Sequence, residues 1–125
     1  MKFVLTKEHT YWWPVKVAIP DPDPARAGKL IEQEFRMQFV SIGQDEAQAL
    51  ADEIAALEPK ERAAREHDLI LRVSKDWADI VDEDQQPVPF SEEMFRAAMQ
   101  SPFYRAAVYR AYNASMRGEA ARKGN

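Results

Sequence analysis

The sequence predicts an α+β domain: an N-terminal antiparallel β-hairpin or small sheet packed against about four α-helices. Three observations carry that prediction. Apolar residues recur at every second position through much of residues 1–43, the period of a half-buried strand. From Gly43 onward they recur at every third and fourth position, the period of an amphipathic helix. Prolines at 59, 87, 89 and 102 then cut the second part into helix-sized pieces, since proline starts helices but does not continue them. Residues 1–125 read as one domain, mainly β over 1–43 and mainly α over 44–118, with a frayed tail at 119–125.

In chain order, "VKVAI" sets Val15, Val17 and Ile19 on one face of a strand. "IEQEFRMQF" sets Ile31, Phe35, Met37 and Phe39 opposite Glu32, Glu34, Arg36 and Gln38. The intervening "PDPDPARAG" holds three prolines and Gly28, which makes it a long turn. "KFVL" at residues 2–5 adds a short edge strand. A hairpin alone is barely stable, so its apolar face must lie on helices. Trp12 and Trp13 are adjacent and point to opposite faces. One faces the core; the other is covered by a helix or exposed to a partner.

The first helix carries Ala47, Leu50, Ile54 and Leu57, with Asp45 as its cap, and ends at Glu58 before Pro59. Pro59 opens a second helix whose apolar stripe is Leu69, Ile70, Val73, Trp77, Ile80 and Val81. The acids Asp82, Glu83 and Asp84 and the two prolines that follow stop it. Ser91 caps a short helix running to Gln100, with Glu92 and Glu93 favourably placed against its dipole. Ser101 and Pro102 open the last helix, which ends near Gly118.

Composition excludes several classes. Hydrophobic residues make up 46% and charged residues 30%, ordinary for a soluble globular protein. No apolar run approaches the ~20 residues of a membrane span. The leading stretch is too short for a signal-peptide core, which predicts a cytoplasmic protein. There is no cysteine, hence no disulfide, thiolate nucleophile or cysteine zinc site. His9 and His67 form no H-x-x-x-H pair, and there is no G-x-S-x-G, glycine-rich phosphate loop or H-E-x-x-H. The expectation is a non-enzyme with no catalytic residues, no metal and no cofactor. Charge is unevenly spread: residues 44–93 hold fifteen acids and five bases, whereas residues 94–125 hold six bases and one acid. These are either solvated helix faces or surfaces that attract within the chain, between copies or toward a partner. A pI near 5.2 lacks the basic footprint of a nucleic-acid binder.

The stretch "WADIVDEDQQPVPFSEEMF", residues 77–95, invites a calcium reading, because Asp82, Asp84, Gln86 and Glu93 fall at EF-hand ligand positions. The sixth position, where the loop needs glycine, is Pro87, and the reading fails there. A connector fits better. Pro87 and Pro89 hold the chain extended and restrict Gln86 and Val88. Phe90 precedes the Ser91 cap in the staple position and pairs with Phe95. Trp77, Pro87, Pro89, Phe90 and Ser91 thus form a rigid corner between helices, its acids facing solvent.

A tryptophan-ended helix, then "D-x-D-x-x-P-x-P-F-S-x-E", a short helix, and "S-P" opening a helix rich in alanine and tyrosine resembles the tail assembly chaperones of long-tailed phages and prophages. The N-terminal "WWPVKVAIP" strand and the strand bearing Phe35 and Phe39 agree. The resemblance covers nearly the whole chain, most sharply residues 77–112. A glycine is common in the family after the second acid, where this chain has Gln85 and Gln86. The resemblance implies a non-catalytic factor that binds the helical tape-measure protein, keeps it soluble and helps recruit major tail (tube) protein subunits. It implies action in the host bacterial cytoplasm and absence from the mature virion. It also implies possible head-to-tail homo-oligomers and a longer frameshifted form arising near "AARKGN". A structural or self-assembling component of the tail particle is the alternative.

The last helix is where the residues themselves point to binding. Phe103, Tyr104, Ala107, Val108 and Ala111 cover one broad face, and Tyr109, Tyr112 and Met116 gather on another beside Arg105. A helix apolar on two sides has something against both, and Tyr, Met and Arg are enriched in interfaces. Tyr109, Tyr112, Met116 and Arg105 are therefore the candidate partner contacts. The competing explanation is that Tyr112 and Met116 flank the domain's own core.

Overall fold

Strands β1 (Thr10–Pro20) and β2 (Leu30–Val40) pair antiparallel over their full length in the computed structural model, which describes residues 1–118. The expected frayed tail lies outside the described residues. The connection tightens through a 3-10 turn at Pro24–Arg26, where the Asp23 carboxylate accepts the Ala25 N–H at 2.9 Å. Gly28 closes it at φ +88°, a left-handed conformation that glycine adopts without steric cost. Register sets Val15 opposite Phe35 and Trp13 opposite Met37. Directly opposed residues share a face, so the alternation expected from sequence places both strands' apolar residues on one side.

The ladder also explains the prolines in β1. At its two ends Ser41 N–H donates to the His9 carbonyl and Asp21 N–H to the Lys29 carbonyl. Odd-numbered residues of β1 therefore face β2, and even-numbered backbone groups face the free edge. Pro14 and Pro20 both occupy even positions, where no ladder donor is required. Arg110 covers part of the same edge, donating to the Lys16 carbonyl at 3.1 Å. The edge strand expected at residues 2–5 does not form; residues 1–9 lie exposed outside the sheet. An edge stripped of two donors offers a poor ladder to a further strand.

The sheet gains its third member elsewhere. Strand β3 (Ser74–Ala78) pairs antiparallel with β2, giving the order β1-β2-β3 with a register shift near Phe39. This corrects the single long helix expected from Pro59 through Val81. That segment becomes two short helices, α2 (Pro59–Ala64) and α3 (Asp68–Val73), followed by the strand. Trp77 therefore ends no helix. The reason is backbone accounting: a central β2 carries N–H and C=O groups on its second side that need partners, and the 74–78 segment supplies them.

The remaining elements follow the expected caps with one exception. Helix α1 (Gln44–Ala55) starts from Gly43, with Asp45 in its first turn and not at its cap. Helix α4 (Glu92–Ala98) is capped by Ser91, whose hydroxyl accepts the Met94 N–H at 3.1 Å. Helix α5 (Pro102–Met116) is capped by Ser101 with Pro102 in its first turn, and Gly118 follows at φ +68°. It packs on the apolar sheet face and supplies Ala107, Val108, Ala111 and Tyr112 to the core. The class is thus α+β, an N-terminal sheet against helices. Among the described residues no helix is long and apolar enough to cross a membrane.

Candidate functional site, an apolar groove with an acidic rim

Trp77 faces inward from β3 and organises the corner that follows. Its indole N–H donates to the Val88 carbonyl at 2.6 Å. Its ring meets Phe90 edge-on at 5.2 Å, and Phe90 lies 5.8 Å from Phe95, so the staple across the Ser91 cap is made. Trp77 and Phe95 also contact Tyr104, which stacks on Phe35 at 5.3 Å. These edge-to-face and stacked arrangements suit the aromatic quadrupole.

Between Trp77 and this cluster the chain makes a tight hairpin. Asp79 turns it at φ +71°, and its carboxylate accepts from Arg36 Nε at 2.8 Å. Val81 pairs with Pro87, and Val88 N–H donates to the Ile80 carbonyl. At the tip, Asp82 Oδ1 accepts the N–H groups of Asp84 and Gln86 at 2.8 and 3.0 Å. Gln85 sits at φ +62°, the left-handed region that glycine favours. The carboxylate of Asp82 is therefore used as a backbone cap, while Glu83 and Asp84 point to solvent without a basic partner among the described residues.

The hairpin, the Ile19 end of the sheet and the α4–α5 junction enclose a groove of about 1090 Å³. Phe35, Trp77 and Tyr104 line its inner part, and Ile19, Val81, Met94 and Phe103 its mouth. Glu34, Asp79, Asp82, Glu83 and Asp84 also line it, and no Lys or Arg does. Phe103, Val81 and Met94 are each between 42% and 48% exposed. Burial pushes the Tyr104 phenol far above its ordinary range, so that hydroxyl stays protonated. Among the described residues no three His, Asp or Glu side chains are grouped to hold a metal ion. The geometry accepts apolar side chains flanked by cations.

Of the four partner contacts expected on α5, only Met116 stands open, and the Tyr11 hydroxyl points at its sulfur from 3.9 Å. Tyr112 belongs to the core, 9% exposed and edge-on to Phe39 at 5.3 Å. Tyr109 is half-buried, its hydroxyl 2.6 Å from His67 Nδ1, and desolvation raises its pKa, aided by Glu66. Arg105 donates to the Met99 carbonyl at 2.8 Å and so closes the end of α4. Arg105 lies close enough to Tyr109 for its charge to act on that phenol, and Tyr11 lies beside both Tyr112 and Met116. Trp13 packs on the core, and Trp12 is the exposed member of its pair.

The burial of Tyr112 has a simple cause. Phe103 and Tyr112 are nine residues apart, about 180° around a helix, so one face cannot bury both. The sheet takes Tyr112, and Phe103 turns outward into the groove. Sequence reasoning missed Phe103, Met94 and Val81 as site residues; the angular conflict between Phe103 and Tyr112 was the one signal available. Of the structural corner of Trp77, Pro87, Pro89, Phe90 and Ser91, Trp77 meets Phe90, Pro87 pairs with Val81 and Ser91 caps α4, and among these five only Trp77 lines the groove. Compared with known proteins, the chain matches no family model, no curated protein and no solved structure.

Proposed function

We propose that the chain is a non-catalytic tail assembly chaperone that holds an amphipathic helical segment of the tape-measure protein in the acid-rimmed groove. The observation that supports this most is the groove itself: an open apolar channel on an aromatic scaffold, lined by acids and by no base. Helix-in-groove recognition uses such a surface, with apolar anchors one turn apart entering it. A long helical client with exposed apolar stripes aggregates when alone, and covering one stripe keeps it in solution. The sequence resemblance over residues 77–112 supports the same assignment, including Gln85 in a conformation suited to the family's glycine. Recruitment of tail tube subunits belongs to this proposal as its second step.

The experiment is co-expression with the tape-measure protein, followed by affinity capture and size-exclusion chromatography. Co-elution, with the tape-measure protein in the supernatant only when the chain is present, is the expected result. Phe103→Asp reduces co-elution while Met116→Asp leaves it near wild type. An insoluble tape-measure protein with nothing co-eluting overturns the assignment. A structural or self-assembling component of the tail particle is the second reading, favoured by the exposed apolar segment before β1; it predicts stoichiometric recovery of the chain in purified particles.

A further inference from the structure

The groove is not the sole open cleft in the molecule, and comparison with the other shows what its charge does. The cleft beside α1 contains Arg72 and Arg96, which reach its own Glu46 and Glu92 at 2.7 and 3.5 Å. Its acids and bases answer one another. The groove under the hairpin is lined by Glu34, Asp79, Asp82, Glu83 and Asp84 and by no base. Its mouth at Val81, Met94 and Phe103 is apolar and open, the kind of surface that marks a contact with another chain.

Three of those acids are answered within the chain. Asp79 is bonded to Arg36 at 2.8 Å. Asp82 caps the hairpin tip through the N–H groups of Asp84 and Gln86. Glu34 stands directly across the ladder from Lys16, where opposite charges attract. Glu83 and Asp84 remain, adjacent and exposed at the tip, without a basic partner among the described residues. Apolar lining is indifferent to the sign of a neighbouring charge. A pair of unanswered carboxylates is not: it favours a basic neighbour and penalises an acidic one.

We infer that Glu83 and Asp84 select the occupant of the groove: an amphipathic helix whose apolar stripe is bordered by Lys or Arg, while stripes bordered by Asp or Glu are refused. This rests on the helix-in-groove reading above and adds the sign of the charge and the two residues that read it. The apolar lining supplies affinity and the tip supplies choice. On a long helical client with many apolar stripes, the basic-bordered ones are those that become covered. The same two charges steer encounter, so their effect weakens with salt.

Calorimetric titration of the full chain with three helical peptides of about 18 residues tests this. The peptides share one leucine stripe and differ only in its border, which is Lys, Gln or Glu. The Lys-bordered peptide should bind about tenfold more tightly than the Glu-bordered one, two exposed attractions replacing two repulsions. The Gln-bordered peptide should fall between them, and high salt should close the gap. Glu83→Lys with Asp84→Lys should invert the order, and Glu34→Gln should leave it as in the wild type. Neither tip side chain holds the hairpin, so the double variant keeps its fold, which circular dichroism checks. Equal affinity for all three peptides, binding of none, or an order that survives the double exchange overturns the inference. So does a proline-broken Lys peptide that binds as well as the helical one, since the occupant would then be extended. Self-association of the chain that Phe103→Asp abolishes would mean that a second copy fills the groove, and overturns it too. Co-elution of the tape-measure protein is read separately: it can persist when the peptides show no preference, and it can fail while the preference stands.

Discussion

The three strands with α4, α5 and the end of α3 bury Phe35, Met37, Phe39, Val73, Phe95 and Val108, whereas α1 and α2 bury no residue at all. The second region is tied on by ion pairs instead. Arg72 reaches Glu46 at 2.7 Å and Glu8 at 2.8 Å, and Arg65 reaches Asp68 and Glu53 at 2.7 and 3.2 Å. An open cleft of about 610 Å³ bordered by Ala49, Leu50, Leu71 and Arg96 runs beside α1. Packed apolar surface resists opening cooperatively, while exposed ion pairs position an element and stabilise it little. The difference teaches that the groove rests on the packed region, and it predicts that α1 and α2 open before the rest.

Four measurements break or sharpen that contrast. The largest effect is expected at Trp77→Ala, which removes the indole beneath the groove and should cost roughly 3–5 kcal/mol in urea unfolding. Leu50→Ala on α1 should cost far less than that, and equal losses would erase the distinction between the regions. A loss well under about 1 kcal/mol at Trp77 would show that the corner does not depend on its anchor.

Alkaline pH is the next probe. Burial raises the phenols of Tyr104, Tyr109 and Tyr112 above the ordinary value of 10.0, and all three lie on α5 in the packed region. For a group whose folded pKa is raised, the stabilisation is whole below the unfolded pKa and is lost as pH rises beyond it. Stability should therefore hold to about pH 10 and fall above it. Tyr104→Phe should flatten that fall, and an unchanged slope would remove Tyr104 from the account.

Gln85→Gly relieves a left-handed conformation that costs a non-glycine residue about 1–2 kcal/mol, partly offset by the greater freedom of glycine in the unfolded chain. A net gain of up to about 1 kcal/mol in the unfolding midpoint is expected; a loss would mean that the Gln85 side chain contributes something its geometry does not show. The smallest global effect belongs to Arg72→Ala. It should quicken hydrogen exchange of α1 amides and leave β2 amides protected, an effect that high salt reproduces in the wild type. Equal acceleration in both elements would make the molecule one cooperative unit.

Local pattern carried much of the fold. The alternation in β1 and β2, the turn at Gly28, the Ser91 and Ser101 caps and the Phe90–Phe95 staple all depend on neighbours within a few residues, and each formed as the sequence implied. Residues 68–81 were different, because Ile70, Val73, Trp77 and Val81 satisfy a helical period and conceal a strand. Of the site, the corner was legible and the groove was not, since its mouth draws on Ile19, Val81, Met94 and Phe103 from four separate segments.

The sequence by itself determined where β1 turns into β2, where α4 and α5 begin and which side of the hairpin is apolar, because those follow from backbone sterics, local capping and side-chain periodicity. Only the tertiary structure decided that residues 74–78 would be a strand, since the unpaired side of β2 demanded hydrogen-bond partners from a segment some forty residues away in the chain. It alone decided the rotation of α5, because the sheet accepts one of two opposite faces, burying Tyr112 and leaving Phe103 in the groove.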